Sequence, residues 1–179
     1  MYNMKLQNIF EKDNIKIEEY TPTVFQPLYK KIDNMYFNKW IRFIIVSLSG
    51  GKIYYLSEDS NVVGYCMIVK GKSYRYLFAK KNDIIVGPIY LSQKYRGKGY
   101  ARLLLEQSLK YYNKKYGFGN AFAYIWRTNI ASNKIFLRIG FKIIAQIEVK
   151  KYSRKVVISN KSKMDYQLFQ LDSKQLTND

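Results

Sequence analysis

The chain has 179 residues, a formal net charge of +18 and an apolar fraction of 47%. This is enough for one domain over residues 1–179, with its core in 14–171 and flexible termini. No apolar run is as long as a membrane span and residues 1–10 lack a signal-peptide pattern, which predicts a cytoplasmic protein without membrane contacts. One cysteine and no histidine exclude an internal disulfide, the usual zinc sites and every histidine-based triad.

The positive charge is spread over the whole sequence. Clustered lysine and arginine would indicate a nucleic-acid partner. The joint excess of Lys, Asn, Ile and Tyr is instead what AT-rich coding alone produces, and distributed charge is a weak sign of a binding stripe. The pattern argues against a nucleic-acid partner, and a basic nucleic-acid-binding module is kept as an alternative.

The first half of the chain reads as a strand, a helical region and a hairpin. Alternating apolar and polar residues predict a strand over 14–20, and mixed helical spacing predicts one or two helices within 21–51. Two β-rich runs, 52–59 and 61–70, flank "EDSN" and predict a hairpin.

A strand interrupted by glycine and proline follows. Residues 83–91, "DIIVGPIYL", predict a strand with Gly87 and Pro88 in its interior. Because proline cannot donate to a strand ladder, we expect this strand to bulge or to part from a neighbour there.

The second half alternates helices and strands, which predicts a mixed α/β or α+β domain. Apolar residues at helical spacing predict an amphipathic helix starting near Gly99. Asn129 is a plausible N-cap of a second helix, and Gly140 suits its left-handed C-terminal position. A basic stretch, 150–163, joins the last two strands. The predicted elements after the amphipathic helix are a strand, a helix and two strands, at 120–126, 129–140, 141–149 and 164–171.

The segment "YRGKGYA" has the features of a phosphate-binding turn. Its glycines let successive backbone N–H groups turn toward one centre, and the helix that follows points its positive end at the same centre. Arg96, Lys98 and Arg102 add positive charge. The spacing matches neither a Walker loop nor a Rossmann fingerprint, and a helix start with solvated lysines is the alternative interpretation.

Two segments, 96–101 and 129–141, carry spacings that occur together in one enzyme family. The first has the pattern Arg-x-x-Gly-x-Ala, and the second has Asn-x-x-Ser-x-x-x-Phe-x-x-x-Gly-Phe. Both resemble motifs of the GNAT superfamily of acyl-CoA-dependent N-acyltransferases, and their order and separation fit its fold. The resemblance implies a mixed, mostly antiparallel central sheet with splayed fourth and fifth strands, flanked by helices.

The resemblance also implies acetyl-CoA as co-substrate, with no metal. Backbone groups near Tyr90 and Leu91 would hold the pantetheine arm in the gap between the splayed strands and polarise the thioester. The first motif would take the pyrophosphate through its backbone N–H groups, and the second would lie near the cofactor arm. The residues that these motifs assign to the cofactor are Arg96, Gly97, Lys98, Gly99, Tyr100, Ala101, Asn129, Ser132 and Phe136.

The acid for the departing thiolate is not supplied by the usual position. The family often uses a tyrosine of the second motif, and this chain has Phe136 there. Tyr124 and Tyr90 are candidate acids, each with a core or rim position as the alternative, and direct release of thiolate to water is equally open.

A base for the amine is sought among the carboxylates. Asp83 comes first, because it begins the strand that would carry the thioester, followed by Glu58 and Asp59 in the hairpin. All three are equally compatible with solvated turn carboxylates. Cys66 lies in an apolar strand and is predicted to be a core residue.

Two regions are candidates for contact with the acceptor. Tyr36 and Trp40 can stack on a sugar ring or a base, and the basic stretch 150–163 can meet a phosphate, although helix packing and a solvated face are the alternatives. Together they favour an anionic acceptor such as a nucleotide-linked amino sugar over a polycation. The predicted function is N-acetyl transfer to the primary amine of a small molecule; a non-catalytic acetyl-CoA sensor is an alternative, and homodimer formation is left open.

Overall fold

The computed structural model describes residues 6–29, 37–73, 75–150, 155–159 and 164–176, with side chains from residue 43 onward in the second of these ranges. The elements of the first half are β1 Leu6–Lys12, β2 Ile15–Tyr20, α1 Phe37–Leu48, β3 Lys52–Glu58, β4 Asn61–Lys70 and β5 Ile84–Leu91. The elements of the second half are α2 Tyr100–Tyr116, β6 Asn120–Trp126, α3 Ile130–Ile139, β7 Lys142–Val149, β8 Val156–Ser159 and β9 Tyr166–Asp172. Short 3-10 helices at Gln93–Tyr95 and Ser173–Leu176 complete the description.

The strands hydrogen bond in the order β1-β2-β3-β4-β5-β6-β9-β7-β8. The pairs β1–β2, β2–β3, β3–β4, β6–β9, β7–β9 and β7–β8 are antiparallel. β5 pairs with β6 in parallel through Ile84 and Ile85. Gly87 and Pro88, joined by a cis peptide bond, follow within β5. A mixed, mostly antiparallel sheet with helices confirms the predicted fold class.

Two strands lie outside the predicted elements. β1 precedes the predicted first strand, and β8 lies within the basic stretch 150–163. The register of β1 shifts between Asn8 and Phe10, and such an irregularity interrupts the two-residue alternation by which a strand is recognised in a sequence. β8 has four residues, which is too short for alternation to stand out among neighbouring lysines.

The chain divides into two compact units. The first comprises Met1–Val69 and Val86–Tyr111, and the second comprises Lys70–Ile85 and Tyr112–Asp179. We describe each by itself as the first unit and the second unit. One domain over 1–179 stays a prediction.

The core of the first unit is largely aromatic. Phe43 of α1 packs on Tyr65 of β4 with ring centroids 5.1 Å apart. The buried hydroxyl of Tyr20 donates to the Gln26 carbonyl at 2.7 Å, so this ring is buried without an unpaired polar end. Cys66 is fully buried and burial raises the pKa of its thiol, which disfavours the reactive thiolate and confirms the predicted core position. The other members of the cluster around Phe43 are Val46, Ile53, Tyr55 and Met67.

Gly64 lets β4 lie unusually near the end of β5. A Cβ added at Gly64 would lie 2.5 Å from the carbonyl oxygen of Tyr90, and the Ser92 N–H donates to the Val63 carbonyl at 2.8 Å beside it. Glycine within a strand is typical of such close backbone approach.

Substituting Gly64 by alanine is expected to destabilise the protein. The added methyl must displace the end of β5, so we expect the free energy of unfolding to fall by about 1–3 kcal/mol in urea denaturation. Asn61→Ala, at the exposed start of the same strand, is the control and should change it by less than about 0.5 kcal/mol. Equal losses in the two variants would contradict the steric explanation.

Candidate active site

The turn before α2 requires glycine at two positions. Gly97 has φ +84° and Gly99 has φ +82°, in the left-handed region that favours glycine. No atom lies within 4 Å of a Cβ built at either residue, so the requirement is one of backbone conformation and not of space. The predicted turn between strand and helix is therefore present.

The backbone N–H groups of this turn are available to a ligand. Among the described residues, no backbone hydrogen bond is donated by the N–H groups of Gly97, Lys98 or Gly99. The N–H groups in the first turn of a helix have no partner within it, and the first to bond back is that of Leu103, to the Gly99 carbonyl at 3.1 Å. An exposed run of donors at the positive end of a 17-residue helix is suited to an anion.

Glu58, at the end of β3, holds two side chains of the turn. Its Oε1 lies 3.5 Å from the Lys98 ammonium and accepts a hydrogen bond from the Tyr100 hydroxyl. This hydrogen bond is the main cause that raises the pKa of Tyr100 to about 12. The Lys98 ammonium also lies over the rings of Tyr95 and Tyr100, at 5.3 and 5.6 Å from their centroids. Glu58 therefore ties the β3 end to the turn, a contact that its position in the sequence did not indicate.

The two arginines of the turn contact acceptors of the first unit. The Arg96 Nε donates to the Leu91 carbonyl at 3.3 Å, which links the turn to the end of β5. The Arg102 Nε lies 3.6 Å from the Glu106 carboxylate one helical turn later. Ala101 lies beside Arg102 in the first turn of α2. The turn is thus braced by its own side chains, while its backbone donors stay open.

The ring of Tyr90 packs against another aromatic ring of the first unit. The ring stacks on Tyr65 with centroids 5.5 Å apart and an interplanar angle of 27°. Leu91, which follows, is buried. The stacking favours a packing role for the Tyr90 side chain over the predicted role as acid, and the contact of its backbone with the pantetheine stays a prediction.

In the second unit, the Tyr124 hydroxyl has an arginine partner. The Arg75 Nη2 donates to the Tyr124 oxygen at 2.9 Å. Because a guanidinium has only donors, the phenol oxygen must accept, and its own proton is left for another acceptor. The rings of Tyr76 and Tyr166 flank Tyr124 at 6.2 and 5.8 Å. Arg75 lies in an unpatterned basic connector, so nothing in the sequence pointed to it.

Asp83 is buried and fully engaged in structural hydrogen bonds. Its Oδ2 accepts from the Lys80 N–H at 2.7 Å, and its Oδ1 accepts from the Asn120 N–H at 2.9 Å and from the Asn120 side chain at 3.1 Å. Only 4% of the residue is exposed. The carboxylate thereby fixes the connection before β5 to the start of β6. This geometry argues against its predicted role as base, because neither oxygen is open to an amine.

The second motif forms a capped helix in the second unit. The Asn129 side chain accepts from the Ser132 N–H at 3.2 Å, and Gly140 ends α3 with φ +103°. Both caps confirm the predicted helix ends. The proximity of Asn129 and Ser132 to a cofactor stays a prediction.

Phe136, at the position where the family often has its acid, is a core residue. Its ring is 4% exposed and packs on Phe141 and Phe169 with centroids 4.8 and 6.0 Å away. The burial argues against the predicted contact between this side chain and a cofactor, and phenylalanine has no proton to give. If an acid is used in the second unit, it must come from another side chain.

Several predicted positions have less structural support. Asp59 lies in the exposed turn between β3 and β4 with φ +49°. Tyr36, the side chain of Trp40 and most of the stretch 150–163 lie outside the described residues.

Among the described residues, no three His, Cys, Asp or Glu side chains are grouped so that they could hold a metal ion. No helix in that part of the chain combines the length and apolarity needed to cross a membrane.

Comparison with known sequences finds one family. The model of the acetyltransferase (GNAT) family matches residues 13–141, which is more than half of the chain. No curated protein sequence matches significantly.

Comparison with solved structures finds acetyltransferases. An N-acetyltransferase from Staphylococcus aureus Mu50 has a TM-score of 0.57 at 25% identity, covering 80% of this chain and 81% of that chain. The spermidine N-acetyltransferase from Vibrio cholerae, in complex with CoA and spermine, has a TM-score of 0.59 at 12% identity, covering 83% and 82%. The ribosomal-protein-S5-alanine acetyltransferase from Vibrio fischeri has a TM-score of 0.61 at 13% identity, covering 92% and 96%. The last two comparisons concern the fold alone.

Proposed function

The chain belongs to the GNAT family of acetyltransferases, and from that membership we propose that it transfers an acetyl group from acetyl-CoA to the primary amine of a small molecule. The observation that carries this proposal is the turn before α2, where Gly97 and Gly99 hold a run of backbone N–H groups open. A diphosphate fits such a run, because the helix end supplies both donors and positive potential.

Two parts of the first unit would bind the co-substrate. The turn would hold the pyrophosphate of acetyl-CoA, and the backbone of Tyr90 and Leu91 would hold the pantetheine. The Arg96 Nε donates a hydrogen bond to the Leu91 carbonyl at 3.3 Å, so the two parts are directly linked. Preorganised backbone donors need no rearrangement when the ligand arrives, which favours both affinity and alignment.

Acetyl transfer from a thioester needs little chemistry from the protein. Acetyl-CoA supplies an activated acyl group, so alignment of the amine in a water-poor cleft accounts for much of the rate. The acceptor amine loses one proton as the amide forms, and the departing sulfur gains one. A proton donor positioned near the sulfur can therefore assist the reaction. We infer that Tyr124 is this donor. Arg75 engages the lone pair of its oxygen and would stabilise the phenolate left after proton donation.

Tyr124→Phe tests this assignment. Loss of the hydroxyl is expected to lower kcat by about 10²-fold, the lower end of what a positioned acid contributes, and to leave the Kd for acetyl-CoA unchanged. The measurement is the rate of thiol release at saturating acetyl-CoA and amine. Tyr166→Phe, on the flanking ring, is the matched control and should retain kcat. An unchanged kcat in Tyr124→Phe would instead mean that thiolate leaves directly to water.

The acceptor is proposed to be anionic, such as a nucleotide-linked amino sugar. The support is the charge of the stretch 150–163 and the aromatic Tyr36 and Trp40, which rests on sequence alone. A panel of anionic amino sugars, amino acids and polyamines would rank the acceptors by kcat/KM. A preference for polyamines would overturn the anionic acceptor while leaving acetyl transfer intact.

Ligand binding tests the function as a whole. Thermal shifts are measured with acetyl-CoA, longer acyl-CoAs and duplex DNA, followed by thiol release on the amine panel. We expect stabilisation by an acyl-CoA together with thiol release on at least one amine. Stabilisation by DNA alone would support the nucleic-acid-binding alternative. Stabilisation by acyl-CoA without thiol release on any amine would support the sensor.

A further inference from the structure

Arg75, in the connector between β4 and β5, is a partly buried cation of the second unit. Its Nη2 donates to the Tyr124 hydroxyl at 2.9 Å. Its Nε is buried and has no hydrogen-bond partner among the described residues. Its Nη1 also has no such partner, but unlike Nε it is not a buried atom, so a ligand can reach it. Since buried polar groups are nearly always satisfied, a guanidinium with one partner for three nitrogens indicates a missing acceptor.

The protein supplies no counter-ion to Arg75 from the part of the chain that the structure describes. Eleven of the 13 acidic residues lie in that part, and none of them forms an ion pair with Arg75. The acid nearest to it in the sequence, Asp83, already accepts from the N–H groups of Lys80 and Asn120. A charge that is partly removed from water is costly without a partner. The pairing that Arg75 lacks is therefore one that an anionic ligand can provide.

The second unit as a whole is strongly basic. Its sequence holds 18 basic and only five acidic residues, so it carries +13 of the net charge of +18. The basic residues are spread along the sequence, and their excess in one unit becomes visible only when the fold divides the chain. Such a field attracts anions and repels polycations.

Both ends of the Arg75 side chain are held in place. The Arg75 carbonyl accepts from the Val156 N–H at 2.9 Å, which fixes the backbone to β8. At the other end the guanidinium contacts Tyr124, which the rings of Tyr76 and Tyr166 flank. Aromatic neighbours keep water away, and a charge-assisted hydrogen bond is stronger in such surroundings. An anion arriving here would meet a guanidinium that is already oriented.

We propose that Arg75 binds the anionic group of the acceptor, a carboxylate or a phosphate, through its terminal N–H groups. The proposal rests on the proposed acetyl transfer with Tyr124 as proton donor, which brings the acceptor beside Tyr124. The two terminal nitrogens carry four N–H groups and Tyr124 accepts one, so three remain for the anion. Arg75 would then be a specificity-determining residue, in a connector to which the sequence assigned no function.

Matched pairs of amines test the selectivity. In each pair the two acceptors differ only in the anion: an amino acid and its amide, or glucosamine 6-phosphate and glucosamine. Thiol release should give a kcat/KM about tenfold higher for the anionic member of at least one pair, and the pair that shows it distinguishes carboxylate from phosphate. In Arg75→Met this ratio should fall to about one. A loss of kcat common to both members reports the contact with Tyr124 and cancels in the ratio.

A titration without acetyl-CoA tests the anion site separately from acetyl transfer. The probes are N-acetylglycine and N-acetylglucosamine 6-phosphate, with N-acetylglycinamide and N-acetylglucosamine as their neutral controls. In the ¹⁵N-labelled unaltered protein, one of the two anions should shift the Nε–H signal of Arg75 saturably, and its neutral control should not. The signal is assigned by its absence from Arg75→Lys, which keeps the charge at this position.

Arg138→Met is the matched control, because it removes the same charge from an exposed position on α3 of the second unit. It should leave both the acceptor preference and the Arg75 signal shift unaltered. Thiol release without any anion preference, an equal loss of preference in Arg138→Met, or no saturable shift with either anion would each overturn the proposal. A saturable Arg75 shift without thiol release on any amine would contradict the proposed function and still support the anion site.

Discussion

Replacing Gly99 by valine is expected to weaken acetyl-CoA binding by at least tenfold. Gly99 has φ +82°, a conformation that a β-branched residue adopts only with strain of roughly 1–3 kcal/mol. No atom lies within 4 Å of the added Cβ, so the cost comes from the backbone, which we expect to move and take its N–H groups out of alignment. Calorimetric titration with acetyl-CoA measures the loss, and thermal denaturation without ligand should show only a modest decrease in Tm.

Lys98→Ala tests whether side-chain charge, and not backbone conformation, accounts for binding at the turn. The Lys98 ammonium is already paired with Glu58, so its removal takes little away from the ligand, and we expect a loss of affinity of about threefold or less. Equal losses in Gly99→Val and Lys98→Ala would mean that side-chain charge, and not the backbone, holds the pyrophosphate.

Asp83→Ala is expected to lower the free energy of unfolding by about 2–4 kcal/mol. The substitution leaves the Lys80 N–H and both Asn120 donors without their acceptor in a buried place. Each unsatisfied buried donor carries a desolvation cost of about 1–3 kcal/mol, and water entering the space left by the carboxylate offsets part of it. Urea denaturation followed by tryptophan fluorescence measures the effect.

Asp83→Asn separates the structural role of this residue from a catalytic one. The amide retains one acceptor oxygen, so the stability loss should be smaller, and kcat of the folded enzyme should stay within about threefold of the original. Glu148→Ala, which removes an exposed carboxylate whose ion-pair partner among the described residues is Lys150, serves as the stability control with an effect below about 0.5 kcal/mol. A fall in kcat of about 10²-fold in a stable Asp83→Asn protein would restore Asp83 as the base.

The elements that could be predicted are those whose signals are local. The β3–β4 hairpin follows from two β-rich runs on either side of a polar turn, and β6 follows from a short apolar run. The helix α3 follows from a capping asparagine and a terminating glycine, and all of these signals lie within one or two turns of chain. β1 escaped prediction because its register irregularity disturbs the alternation. The ends of helices and strands that are set by neighbouring residues can therefore be predicted from a single sequence.

The candidate active site could be predicted only in part, because only some of its features depend on residues that are close in sequence. The phosphate turn depends on Gly97 and Gly99, which lie only two positions apart in the sequence, so its position was predictable. The partners of the side chains come from far along the chain: Arg75 is 49 residues from Tyr124, and Glu58 is 42 residues from Tyr100. Asp83 was predicted at the correct end of its strand, but the burial that gives it a structural role arises from Asn120, 37 residues away.

The contact between Glu58 and Lys98 also bears on how the protein responds to ionic strength. Two of the three cations near the turn, Lys98 and Arg102, already have carboxylates of the protein within 4 Å. Salt weakens binding in proportion to the counter-ions that a ligand displaces, and a cation paired internally carries fewer of them. Acetyl-CoA affinity is therefore expected to fall with added potassium chloride less steeply than three solvated cations would require. A protein with a net charge of +18 would thus hold its anionic substrate in a largely salt-tolerant way.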